Sequence, residues 1–131
     1  METRQRYFLK KNDKLKSRKI IQQLFSEGKS LSVNPIRAVY FFANHFNHLQ
    51  TGVSVSSRHF KKAVDRNRIK RLLREAYRLQ KNDLEKTVIE KNSQLSLFLI
   101  YTGKELPTYA QIFDACNVIL QRLNKIVHEA N

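Results

Sequence analysis

The sequence predicts an α+β fold in a single domain. Apolar residues recur at helical spacing in three separate segments, and runs of β-branched and aromatic residues lie between those segments. The length of 131 residues suits one domain and leaves little room for two. The expected order is a helix, two or three strands, a strongly basic helix, another strand and a final helix.

The first helix is predicted to begin after Ser17, whose side chain can cap it, and to end at Gly28. Its apolar residues cluster on one side. Because the helix is short, packing rather than intrinsic propensity must hold it, and we expect Ile20 and Leu24 to pack on a sheet.

Residues 36–43 and 51–56 carry the clearest strand patterns before the basic helix, and residues 29–32 are a candidate for a short additional strand. In the second of these segments the small residues Gly52 and Ser54 alternate with valines. A face of small residues is either an ordinary solvated surface or a place where a ligand approaches closely. Aromatic residues on the neighbouring strand favour a groove.

The strand over residues 36–43 is apolar on both faces, so its orientation is ambiguous. Alternation places Ile36, Ala38, Tyr40 and Phe42 on one face and Arg37, Val39 and Phe41 on the other. The strand is therefore covered on both sides or presents an exposed aromatic surface. A shift of one residue would exchange the two faces.

The second half of the chain is expected to complete the core. Residues 81–94 are polar and predicted to be mostly irregular, with room for the basic helix to continue through Leu84. Residues 95–101 are predicted to form a buried strand. Thr108 and Gln111 have the spacing of a capping box at the start of the last helix. That helix carries Cys116 on its apolar stripe, which indicates a small buried side chain.

The basic helix spans Lys61–Lys81, and its apolar stripe consists of Ile69, Leu72, Leu73 and Ala76. Four cations recur every four residues along it: Arg66, Lys70, Arg74 and Arg78. Most charge runs are solvated faces, but such faces usually mix both signs, and this one mostly does not. Arginine binds phosphate oxygens in pairs, so the helix is expected to dock on nucleic acid.

The overall charge supports a polyanionic partner. Lysine and arginine outnumber aspartate and glutamate by 25 to 11, giving a formal net charge of +14. Residues 1–16 form a basic arm that we expect to be partly flexible when free. No segment is apolar enough for a signal peptide or a membrane span, so we expect a cytoplasmic protein without a membrane partner.

No constellation for protein-based catalysis or metal binding is visible. The three glycines are scattered, no nucleophile is paired with a base, and no carboxylates cluster. His45 and His48 lack flanking acids or thiols that would complete a metal site. His59 is more simply explained by contact with nucleic acid or by its place before the helix than as a general base. We therefore predict no catalytic and no metal-ligating residue.

Two adjoining segments, GVSVSSRHFKKAV (52–64) and AVDRNRIKRLLREAYR (63–78), resemble the bacterial ribonuclease P protein family. The second is similar to the family's Arg-Asn-Arg signature, and the first to the strand and loop before it. Ser57 departs from the pattern, because many members carry lysine there. The resemblance implies an αβββαβα sandwich with a mixed four-stranded sheet and a left-handed crossover through the basic helix.

The resemblance also implies a function. In ribonuclease P an RNA subunit with bound Mg²⁺ hydrolyses the phosphodiester, so this chain would be a subunit of an endoribonuclease whose chemistry lies in the RNA. The partners would be ribonuclease P RNA and precursor tRNA, whose 5′ leader the holoenzyme removes, and no protein partner is evident. The predicted RNA-binding residues are Arg58, Lys61, Lys62, Arg66, Asn67, Arg68, Lys70, Arg71, Arg74 and Arg78.

The 5′ leader is expected to lie in a cleft between the first helix and the sheet. The predicted lining is Ile21, Phe25, Ala38, Tyr40 and Phe42, with Tyr40 as the principal stacking residue. Ile21 and Phe25 would otherwise simply pack on the sheet, and a one-residue shift would bring Phe41 or Val39 into the cleft instead of Tyr40.

Several alternatives remain open on the sequence alone. Asn67 either contacts RNA or hydrogen-bonds the loop before the helix. The alternative function for the chain as a whole is that of a non-catalytic structural RNA-binding protein of the ribosomal or RNA-chaperone type. Charge alone would also suit a DNA-compacting protein.

Overall fold

The computed structural model describes residues 18–42 and 49–129. These residues form α1 (Arg18–Glu27), β1 (Lys29–Val33), β2 (Ile36–Phe42), β3 (Leu49–Val55), α2 (Ala63–Gln80), α3 (Asn82–Glu90), β4 (Leu95–Tyr101) and α4 (Tyr109–Glu129). The predicted α+β class is confirmed, and so is the αβββαβα order apart from the additional helix α3. The arm of residues 1–16, Ser17 and the histidines at 45 and 48 lie outside the described residues.

The four strands form one mixed sheet in the order β1-β2-β4-β3. β2 pairs antiparallel with both β1 and β4, whereas β3 and β4 run parallel. Parallel neighbours need a crossover connection, and α2 with α3 supplies it. The left-handed sense of this crossover stays a prediction from the family resemblance.

The sheet separates two layers of helices. α1 packs on one face, over β2 and β4, and the other face carries α2 and α4, with α3 packed on α4. The central strand β4 shows why: Leu95, Leu97 and Leu99 are fully buried towards the larger layer, while Phe98 and Ile100 face α1. This strand is apolar on both faces because both of its faces are covered.

α4 begins as the sequence predicts. The Gln111 amide donates to Thr108 Oγ1 at 3.2 Å, and the Thr108 amide donates to Gln111 Oε1 at 3.1 Å. This reciprocal pair satisfies two amides that the first turn leaves without helical partners. Cys116 is fully buried further along the helix, which confirms its predicted place in the core.

Residues 82–90 form a helix, so the prediction of a mostly irregular segment was wrong. Leu84 and Val88 lie one turn apart and are almost fully buried in the core that α4 shares. Two apolar residues over a single turn give too weak a period to identify a helix. Packing against α4 stabilises a segment that propensity alone would not.

Gly28 follows α1 directly, and its amide donates to the Leu24 carbonyl oxygen at 2.8 Å. No described glycine adopts a positive φ, so conformational freedom does not explain the residue. A Cβ atom at this position would instead collide with the Leu24 carbonyl oxygen and lie 2.9 Å from that of Tyr40. Glycine therefore allows the end of α1 to approach β2 closely.

Candidate nucleic-acid interface

The outward surface of α2 is basic and largely unpaired. Ile69, Leu73, Ala76 and Tyr77 bury one side of the helix. The exposed polar side chains in residues 63–74 of the helix are Asn67, Arg68, Arg71 and Arg74. We call these four residues the basic face. Asn67, Arg71 and Arg74 lie at i, i+4 and i+7, so helical periodicity brings them onto one line opposite the core.

The predicted row with four-residue spacing is only partly a surface row. Arg74 is exposed, but Arg66 and Lys70 are half-buried. A step of four residues turns about 40° beyond a full helical turn, so such a row winds around the helix. Its first two members therefore lie on the flank of α2, near the border of the core.

Arg66 holds the segment before α2. Its Nη1 donates to the carbonyl oxygens of Phe60 and Lys61, each at 2.7 Å. The structural role that sequence analysis left open for Asn67 therefore belongs to Arg66. Asn67 is exposed and makes no side-chain hydrogen bond to another described residue, which leaves it available to a partner.

Arg78 is engaged by an acid on its own helix. Its Nε donates to Glu75 Oε2 at 3.1 Å, and Nη2 reaches the other carboxylate oxygen. The hydrogen bond from Arg78 lowers the pKa of Glu75 below its ordinary value. Arg78 thus offers less unbalanced charge to a phosphate than Arg71 or Arg74 does.

The loop from β3 to α2 extends the basic surface. Arg58, Lys61 and Lys62 are exposed in it, whereas Phe60 is buried and packs against Tyr101 with ring centroids 5.9 Å apart. The buried ring anchors the loop. Because the anchor lies between the basic residues, they stay at the surface next to the first turn of α2.

A second feature lies between α1 and the sheet. Leu24 is fully buried on Val39, and the Phe25 ring meets Phe98 edge-on at 5.3 Å. Phe25 nevertheless remains 49% exposed. We call the surface beside this contact the α1 cleft; its partly buried apolar residues are Ile21, Phe41, Phe98 and Ile100.

Of the predicted cleft lining, the structure places Ile21 and Phe25 at the α1 cleft but not the three residues of β2. Ala38 and Tyr40 face the opposite layer and are buried in the main core. Phe42 lies near Tyr40, with ring centroids 6.5 Å apart, and is 40% exposed at the strand end. The structure therefore does not bring these three residues together with Ile21 and Phe25. Because both faces of β2 are apolar, alternation alone could not distinguish them.

Sequence analysis also missed the residues that β4 contributes to the cleft. Phe98 and Ile100 alternate with three leucines, so the sequence predicts that they share one face of β4. The sequence does not predict that α1 packs on that face. Gly52 and Ser54 of β3 lie beside them in register and are partly exposed. The predicted open face of small residues on β3 therefore borders the cleft.

The described part of the chain holds neither a metal-ligand cluster nor a membrane-spanning helix. No three histidine, cysteine, aspartate or glutamate side chains in residues 18–42 and 49–129 come together as a metal site. In the same part of the chain, no helix combines the length and apolar character that crossing a bilayer requires.

Comparison with known proteins identifies the family. The family model described as Ribonuclease P matches residues 9–124. The ribonuclease P protein component of Porphyromonas gingivalis is 35% identical over 117 residues, which cover 88% of this chain and 85% of that protein. The component from Borreliella burgdorferi is 30% identical over 122 residues, which cover 92% of this chain and 98% of that protein.

Solved structures share the fold. The Staphylococcus aureus RNase P protein aligns with a TM-score of 0.66 at 22% identity, covering 91% of this chain and 98% of that one. The Thermotoga maritima RNase P protein aligns with a TM-score of 0.66 at 23% identity, covering 83% of this chain and 96% of that one. With the extent of the sequence matches, these findings show that the chain belongs to the ribonuclease P protein family.

Proposed function

We propose that the basic face of α2 docks on ribonuclease P RNA and that the α1 cleft holds the 5′ leader of precursor tRNA. Membership of the family makes the chain a component of ribonuclease P, the endonuclease that acts in tRNA processing. The proposal assigns each of the two surfaces to one of the RNA molecules of that reaction.

The observation that carries the proposal is the state of the basic face. Arg68, Arg71 and Arg74 are exposed on a rigid helix, and none pairs with a described carboxylate. Double-stranded RNA is recognised mainly by its shape, phosphates and 2′-hydroxyl groups. A row of guanidinium groups on a helix suits that backbone, because each planar fork binds phosphate oxygens in pairs.

The α1 cleft suits a single strand of variable sequence. Phe25 and Phe98 present aromatic surface beside partly exposed small residues of β3. Aromatic side chains stack on any base, so such a surface tolerates leaders that differ between tRNAs. A structural RNA-binding protein of the ribosomal type would not need this cleft.

Hydrolysis and Mg²⁺ are assigned to the RNA subunit. The carboxylates of the described residues do not gather into a set of three ligands. Mg²⁺ is bound through oxygen ligands, often from one or two carboxylates together with phosphates. The proposal therefore leaves Mg²⁺ to the RNA, and none of its steps passes through a metal held by the protein.

The decisive experiment is cleavage of a precursor tRNA at low Mg²⁺ by a bacterial ribonuclease P RNA, with and without this protein. We expect the protein to restore cleavage and to increase affinity for precursor more than for mature tRNA. Replacing Arg68, Arg71 and Arg74 together by alanine should abolish the effect by preventing assembly. Equal effects on precursor and mature tRNA would favour the structural RNA-binding alternative, and comparable binding of duplex DNA would favour the DNA-compacting one.

A further inference from the structure

Arg37 stands on the same face of β2 as Val39 and Phe41, which is the face that α1 partly covers. It is exposed, and its neighbours across the sheet are Ser32 of β1 and Ile100 of β4. Sequence analysis placed Arg37 on a face of β2 without assigning it any function. The structure brings it to the α1 cleft.

The charge of Arg37 has no counterpart in the described structure. Arg37 forms no ion pair and no side-chain hydrogen bond with another described residue. Alternation places eleven residues on this face of the four strands, and none is acidic: Ser30, Ser32, Arg37, Val39, Phe41, Gln50, Gly52, Ser54, Ser96, Phe98 and Ile100. Among them Arg37 is the single formal charge, and the other ten are four apolar residues, four serines, a glycine and a glutamine.

Arg37 lies close to the aromatic surface of the cleft, because Val39 pairs with Phe98. Arg37 is two residues from Val39 along β2, which corresponds to about 7 Å. A base resting near Phe25 and Phe98 would therefore place a neighbouring phosphate within reach of the long Arg37 side chain, and the exposed hydroxyl group of Ser32 lies beside it.

We infer that Arg37 binds one backbone phosphate of the 5′ leader and thereby sets the leader length needed for full affinity. The inference rests on the proposed leader-binding role of the α1 cleft and adds to it a charged position independent of base identity. An arginine–phosphate contact is directional and charge-assisted, whereas stacking alone leaves the strand free to slide.

Two measurements on the holoenzyme follow. Precursor tRNAs with leaders of increasing length should gain affinity stepwise, and Arg37→Ala should remove the step at which the phosphate first reaches the site. The expected loss is about tenfold or more for long leaders. The salt dependence of precursor binding should also weaken by about 0.7 in logarithmic slope, the value for one phosphate on a single strand.

The sharper test replaces one leader phosphate at a time by an uncharged methylphosphonate. One position should weaken binding to the wild-type holoenzyme and have no further effect on the Arg37→Ala holoenzyme. Arg122→Ala is the matched control, because Arg122 is exposed on α4, on the other side of the sheet. It should behave as wild type, and Arg37→Lys should retain part of the affinity.

The outcomes separate the inference from the proposed function. If Phe25→Ala weakens precursor binding while the methylphosphonate pattern is unchanged in Arg37→Ala, the cleft holds the leader and the phosphate contact is refuted. If neither variant changes precursor binding, the proposed role of the cleft fails. If Arg37→Ala instead weakens assembly with the RNA subunit alone, Arg37 belongs to that interface and the inference is overturned.

Discussion

The ring of Phe25 in α1 meets the ring of Phe98 in β4 edge-on, with centroids 5.3 Å apart and 84° between their planes. Edge-to-face pairs of this kind are favourable beyond the area they bury. The contact joins α1 to a central strand of the sheet. It leaves half of Phe25 exposed, so the same ring both positions α1 and remains accessible to a base.

Phe25→Ala should weaken binding of precursor tRNA to the holoenzyme by about 1–3 kcal/mol, the range for losing one stacking partner. Affinity for mature tRNA should stay nearly constant, because mature tRNA has no leader. The thermal midpoint should fall only modestly, since much of the ring is already in contact with solvent. Affinities for both tRNAs, measured beside thermal unfolding, check this prediction.

Tyr40→Ala supplies the opposite control. Tyr40 is 8% exposed in the main core, so its truncation should cost about 3–5 kcal/mol of unfolding free energy. Precursor and mature tRNA should then be affected together. A stable Tyr40 variant with a selective loss for precursor would show that β2 presents its other face to the leader.

Arg66 and Arg71 should differ although both belong to the basic helix. Arg66→Ala removes two hydrogen bonds to the carbonyl oxygens of Phe60 and Lys61, so unfolding free energy should fall by about 1–3 kcal/mol. Arg71→Ala should leave stability unchanged and reduce the salt slope of binding to the RNA subunit by about one unit. Urea unfolding and RNA titrations at several salt concentrations measure both quantities. Equal destabilisation by the two variants would contradict the assigned roles.

Cys116 should make stability sensitive to alkaline pH. Burial raises the pKa of its thiol from 9.0 to about 12. Since the unfolded state releases this proton first, unfolding free energy should be constant below about pH 9 and decline as the pH rises towards 12. Cys116→Ala should remove this part of the decline.

The wild-type protein must be compared with the Cys116→Ala variant, because burial also raises the pKa values of Tyr101 and Tyr109. These two tyrosines also lower the unfolding free energy as the pH rises. In the native protein at pH 8 the thiol should not react with a disulfide reagent, whereas it should react after unfolding. A rapid reaction under native conditions would show that Cys116 is accessible.

The sequence by itself determined the features that depend on neighbours along the chain. The apolar stripe and the cations of α2, the buried strand β4 and the capping box of Thr108 and Gln111 all follow from local spacing. The Arg-Asn-Arg segment also identified the family, because its residues occur in a specific order over a long continuous stretch. These parts of the prediction are confirmed by the family matches and the fold.

Only the tertiary structure decided how surfaces are shared between elements. β2 is apolar on both faces. The apolar surface of α4 and the close approach of α1 at Gly28 decide which face meets the main core and which meets α1. α3 exists because Leu84 and Val88 find a partner far along the chain. Arg66 serves the loop rather than the surface because carbonyl oxygens lie within its reach. Such choices depend on contacts between distant residues, whose burial and hydrogen bonding local periodicity does not encode.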